Sequence, residues 1–134
     1  DKSHVICRQI PYEQDTLDLI DELKELWCGG VWMNYLPNDK EHEVMFANEG
    51  RMFKYVRVGM DSRDIELLPN HQIGKGNDRM EKHWHIFEHG EEMRMSIHGE
   101  SALTALLNWN VEEKKWQGRW LDYEKCELEL IPYE

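Results

Sequence analysis

A chain of 134 residues can bury roughly two thirds of its unfolded surface around one core and leaves little room for a second domain. Its formal net charge of −11 comes from acidic residues spread along the chain, which argues against nucleic acid and acidic membrane surfaces as partners. No stretch approaches the ~18 apolar residues of a membrane span. A single domain over residues 1–134 is therefore expected, with an arm and helix over 1–30 and an antiparallel barrel over 31–134.

The chain begins at Asp1 without methionine and so reads as a trimmed or excised piece of something longer. Residues 4–10 alternate loosely and are stopped by Pro11, as a strand or an arm would be. From Asp15 or Thr16, both good N-caps, to Cys28 the positions Leu19, Ile20, Leu23, Leu26 and Trp27 recur at helical spacing, and Gly29-Gly30 should end that helix. The period then changes to that of strands. Strands are expected over 31–36, 43–47 and 51–58, with a tight turn through Asn48-Glu49-Gly50. Residues 59–64 read as a turn, 65–68 as a short strand, and 69–78 as loop around Gln72-Ile73.

Two hairpins follow. A turn at His89-Gly90 would put Phe87 opposite Glu92, His85 opposite Arg94, His83 opposite Ser96 and Glu81 opposite His98, with Trp84, Ile86, Met93, Met95 and Ile97 on the other, apolar face. A loop over 111–114 sets Trp109 opposite Trp116, Leu107 opposite Gly118 and Ala105 opposite Trp120; Leu106 and Leu121 are apolar exceptions on the reverse face. A last strand over 126–131 turns Cys126, Leu128 and Leu130 inward. The fold expected is mainly β: an antiparallel barrel or closed sandwich of about eight or nine strands with one N-terminal α-helix.

Cys7, Cys28 and Cys126 form neither a C-x-x-C pair nor an even set. They read as three reduced thiols, which points to the cytoplasm.

The tryptophans Trp84, Trp109, Trp116 and Trp120 share one wall in this register, and such rings either fill a core or line a pocket for an apolar or carbohydrate-like ligand. His83, His85 and His98, with Glu81 nearby, are candidate ligands for zinc, iron or copper, or else solvated strand histidines. No nucleophile motif or phosphate-cradling glycine loop occurs, so nothing asks for catalysis, and the pattern names no cofactor. A second functional reading is an acidic interaction module docking on a basic protein partner.

Gly30-Val31-Trp32, following one short helix and opening a run of meandering strands, resembles the calycin superfamily of lipocalins and fatty-acid-binding-like barrels. In that group a G-x-W lies near the start of the first barrel strand, and a late basic residue packs across the tryptophan. Arg119, beside Trp120, is the best candidate for the second part in this sequence. The chain ends on a strand rather than on the lipocalin C-terminal helix, and the lipocalin disulfide has no obvious counterpart. The resemblance implies a barrel whose interior takes a small, mostly apolar molecule, with Trp32 beneath the other rings and Arg119 orienting the ligand.

Overall fold

The computed structural model describes residues 14–28, 31–32, 37–100, 103–121 and 126–133. The expected strand or arm over 4–10 lies outside them, as do residues 33–36 of the strand expected over 31–36.

The alternation that marks the second half of the sequence closes a barrel. Strands β3 (Arg51–Arg57), β4 (Asp61–Leu68), β5 (Gln72–Ile73), β6 (His83–His89), β7 (Glu92–His98), β8 (Leu103–Asn110), β9 (Lys115–Trp120) and β10 (Glu127–Pro132) each pair antiparallel with the next, and β10 returns to β3. The protein is thus mainly β, a closed eight-stranded antiparallel meander, and its architecture fits a calycin-like fold in general. Closure leaves the barrel itself without an open edge.

Every second residue points inward. Phe53, Ile65, Leu67, Trp84, Ile86, Met95, Ile97, Leu107, Leu128 and Leu130 are fully buried in one cluster. Burying each such side chain contributes about 1.5–3 kcal/mol before ordering costs. A second cluster lies outside the barrel, where Leu19, Ile20 and Leu23 of α1 (Gln14–Leu26) cover Phe87, Leu103 and Leu106, with Leu121 beside them. The apolar exceptions on the reverse face are therefore the seat of the helix.

Several expectations need correction. The barrel begins at Arg51, and residues expected as a strand over 43–47 belong to a helix, α2 (Asp39–Asn48). Asn38 caps it: its side chain accepts from the Glu41 N–H at 2.8 Å while the Glu41 carboxylate accepts from the Asn38 N–H at 2.8 Å. The α1 helix stops at Leu26, and Trp27–Cys28 (β1) pairs with Val31–Trp32 (β2) in a separate two-stranded ladder. Strand β4 extends back to Asp61, into the expected turn. In the first hairpin the loop is Gly90-Glu91, with φ of 60° and 66°. The true partners are His83 with His98, His85 with Ser96 and Phe87 with Arg94. The shift is by two residues, so every side chain keeps its face.

Cys126 is disulfide-bonded. The reading of three reduced thiols is therefore wrong.

The second hairpin matches its expected register throughout, from Ala105 opposite Trp120 to Asn110 opposite Lys115. The reason for Gly118 is closer to the backbone than to the rings. A Cβ there would run into the Leu106 carbonyl oxygen and the Leu107 Cα on the neighbouring strand. Gly118→Ala should therefore cost about 2–3 kcal/mol through forced strand separation, read as a lower denaturation midpoint. Gly90→Asn, in a turn that Asn tolerates, should be near neutral. Equal midpoints for the two variants would show that β8 and β9 have room to spare.

Candidate functional site

Helix α2 creates an apolar concavity at one barrel mouth. Met45 and Val44 of α2 join the barrel core, which lays the helix across one barrel mouth. Both its ends are tied. At the N-terminal end the buried Glu41 carboxylate accepts from the Glu88 backbone N–H at 2.6 Å, and Lys40 reaches Glu88 at 3.2 Å. At the C-terminal end the Asn48 Nδ2 donates to the Val44 carbonyl at 2.7 Å, and Trp116 Nε1 donates to Asn48 Oδ1 at 3.3 Å.

Between the helix and the mouth lies a half-open cleft of about 320 Å³ lined by Glu43, Val44, Ala47, Asn48, Arg51, Met93, Trp109 and Trp116. Its walls are mostly apolar. Trp109 meets Trp116 edge to face, with ring centroids 5.3 Å apart and planes at 63°, a favoured aromatic geometry. Arg51 holds one rim, its guanidinium 5.8 Å from the Phe53 ring and 3.3 Å from the Tyr133 carbonyl.

Of the residues expected to form a binding wall, Trp109 and Trp116 come together here. Trp84 does not: it is fully buried in mid-barrel, with Nε1 donating to the Leu68 carbonyl at 2.9 Å. Trp120 sits towards the opposite end, under the Arg57 guanidinium at 5.1 Å. Arg119 lies on the outward face, opposite Leu106 and Glu127. The backbone of Trp32 is in the separate β1–β2 ladder, not in a barrel strand, and its side chain is outside the described residues. The basic residue stacked on a tryptophan is thus Arg57 on Trp120. Sequence reasoning missed Met93 as a cleft residue, and Val44, Ala47, Asn48 and Arg51 entirely. Their one available signal was the Asn38-x-x-Glu41 capping pattern.

The opposite end of the barrel carries a polar cluster. Tyr55 donates to Glu81 at 3.0 Å, and Arg63 reaches the other Glu81 oxygen at 2.6 Å and Asp78 at 3.5 Å. Burial pushes the Tyr55 hydroxyl and the Glu81 carboxyl above their ordinary ranges, and the Glu81 charge raises Tyr55 further. Arg57 closes bidentately on Asp61 at 2.8 and 2.5 Å. Each guanidinium has a carboxylate partner, so this cluster reads as structural.

His83, His85 and His98 sit on the outer face of β6 and β7; His85 and His98 are buried rather than solvated, and His83 is half-buried. His85 Nδ1 is 3.2 Å from His71 Nδ1, His71 Nδ1 is 3.1 Å from the Trp84 carbonyl, and His98 Nε2 is 2.9 Å from Ser96 Oγ. Among the described residues no three His, Cys, Asp or Glu side chains converge as metal ligands would. Burial first, and then repulsion from neighbouring imidazoles, pushes His85 and His98 down to about 3. Such a weak base cannot activate the Ser96 hydroxyl at neutral pH, and both groups are shut from solvent. The dyad is a structural hydrogen bond.

No described helix is long and apolar enough to cross a membrane. Comparison with known proteins assigns no family: no family model matches the chain, and neither the curated proteins nor the solved structures give a match.

Proposed function

We propose that the protein is a non-catalytic binding barrel whose small, mostly apolar ligand sits in the cleft between α2 and the barrel mouth. The cleft itself carries this reading: about 320 Å³, walled by Met93, Trp109, Trp116, Val44 and Ala47, with Arg51, Glu43 and Asn48 as its few polar groups. That volume and that mix of many apolar walls with a few polar groups are what small-molecule sites use. The calycin resemblance favours the same class of function. The proposed site lies at the mouth rather than in mid-barrel, because Trp84, Ile86 and Met95 fill the interior. The bonded Cys126 favours an oxidising compartment over the cytoplasm expected from reduced thiols.

The test is a titration with anilinonaphthalene sulfonate, an aromatic probe whose anion suits the Arg51 rim. Binding should shift the tryptophan emission and raise the melting temperature with occupancy, by about 2.7 kcal/mol of stabilisation at a hundredfold excess over Kd. Trp109→Ala should weaken the probe roughly tenfold while costing only about 1–2 kcal/mol of stability, since its ring is partly exposed. Probe binding that survives Trp109→Ala unchanged, or no binding to the parent protein, defeats the proposal.

A further inference from the structure

Beside the apolar cleft, across Met93 and Trp109, which line both, lies a second concavity of about 460 Å³ at the tips of the two hairpins. Its walls are of another character: Asn108, Asn110 and Gln117, on the outward face of β8 and β9, bring planar amides and Glu91 a carboxylate. Resting on the function proposed above, we infer that the ligand is an amphiphile with a neutral polyhydroxylated head, such as a glycosyl group, held at the hairpin tips while its apolar part enters the cleft under α2.

The chemistry of the second concavity selects the head. Asn110 is committed on both sides, donating to Gln117 Oε1 at 3.2 Å and accepting from the Glu113 N–H at 3.0 Å. That ties the two strands together and orients the Gln117 amide, whose NH₂ group remains to donate. The Asn108 side chain makes no hydrogen bond among the described residues, which leaves a donor and an acceptor side by side. Vicinal hydroxyls present the same paired donors and acceptors. Charge excludes the anionic alternatives, because no Lys or Arg lines this concavity whereas Glu91 and Glu92 do. A cationic head is less well served, since Glu92 is engaged by Arg94 at 3.4 Å and three neutral amides face the space.

The whole chain is titrated by calorimetry, below micelle formation, with octyl glucoside, octanol, octyl sulfate and octyltrimethylammonium, and separately with anilinonaphthalene sulfonate. The glucoside should bind about tenfold tighter than octanol, the worth of one or two satisfied hydrogen bonds. Asn108→Ala and Gln117→Ala, both surface changes, should each remove most of that advantage and leave the affinity for the dye unchanged. Octanol or either charged amphiphile binding as tightly as the glucoside overturns the head-group assignment and leaves the apolar cleft standing. No binding of any amphiphile or of the dye overturns both.

Discussion

Trp84→Ala is expected to destabilise the protein by about 3–5 kcal/mol, a large part of the ~5–15 kcal/mol that a domain of this size holds. The ring is wholly buried between β5 and β7, opposite Ile97, among Ile86, Met95 and Leu67. Removing it leaves a void that rigid barrel walls cannot collapse into, and takes away the donor to the Leu68 carbonyl. Trp84→Phe should fall between, keeping most of the volume and losing the hydrogen bond. Urea denaturation would measure both. A loss below ~1 kcal/mol for Trp84→Ala would mean that the barrel interior is loosely filled and has room for a mid-barrel pocket.

That contrast between Trp84 and Trp109 was not readable in the sequence, and the reason is physical. Alternation assigns a side chain to a face, and both rings lie on the inner face as their positions dictate. It cannot assign depth along the barrel axis, which depends on strand stagger and on what covers the ends. Trp109 lies near a mouth because its hairpin ends one residue later, at Asn110; Trp84 lies deep because β5 and β7 flank it.

The hairpins were legible because their signals are local. Val111 to Lys114 fixed the β8–β9 register correctly, down to Leu107 opposite Gly118. In the β6–β7 hairpin the glycine was identified correctly but placed at the second turn position, when it occupies the first, with Glu91 also at positive φ. The error of two residues preserved the faces and so was invisible to any argument from polarity.

Helix α2 was missed for a different reason. Val44-Met45-Phe46 is a contiguous apolar run, and only Met45 is buried while Phe46 is 80% exposed. A helix with so narrow an apolar stripe shows little helical period. Its capping box was in the sequence, yet Pro37-Asn38-Asp39 also reads as a turn, and the turn reading prevailed. Because α2 forms one wall of the cleft, the site could not be assembled without it. The histidines show the same limit from the other side. Their strand face was identified correctly, but the burial that makes them neutral comes from long-range packing, and His71 joins them only through the turn before β5.

Lowering the pH from 7.5 to 5 is expected to cost the protein about 4 kcal/mol, roughly 2 kcal/mol from each of His85 and His98. Both are held at about 3 when folded, against an ordinary 6.5, chiefly by burial. A folded value below the unfolded one means that acid favours the unfolded chain. Above about 6.5 neither state is protonated and the stability is whole; between about 6.5 and 3 the unfolded chain takes up protons that the fold refuses. His71 and His83, also lowered by burial, act in the same direction. Glu81 acts in the opposite one, since a carboxyl raised by burial gains stability as it protonates. Replacing His85 and His98 by Gln removes their titration while leaving an amide beside Ser96 and His71. The double variant should therefore show a much flatter decline between pH 7.5 and 5, whatever its absolute stability. If the parent protein is equally stable at both values, or the double variant declines as steeply, then these histidines are not the groups that acid attacks.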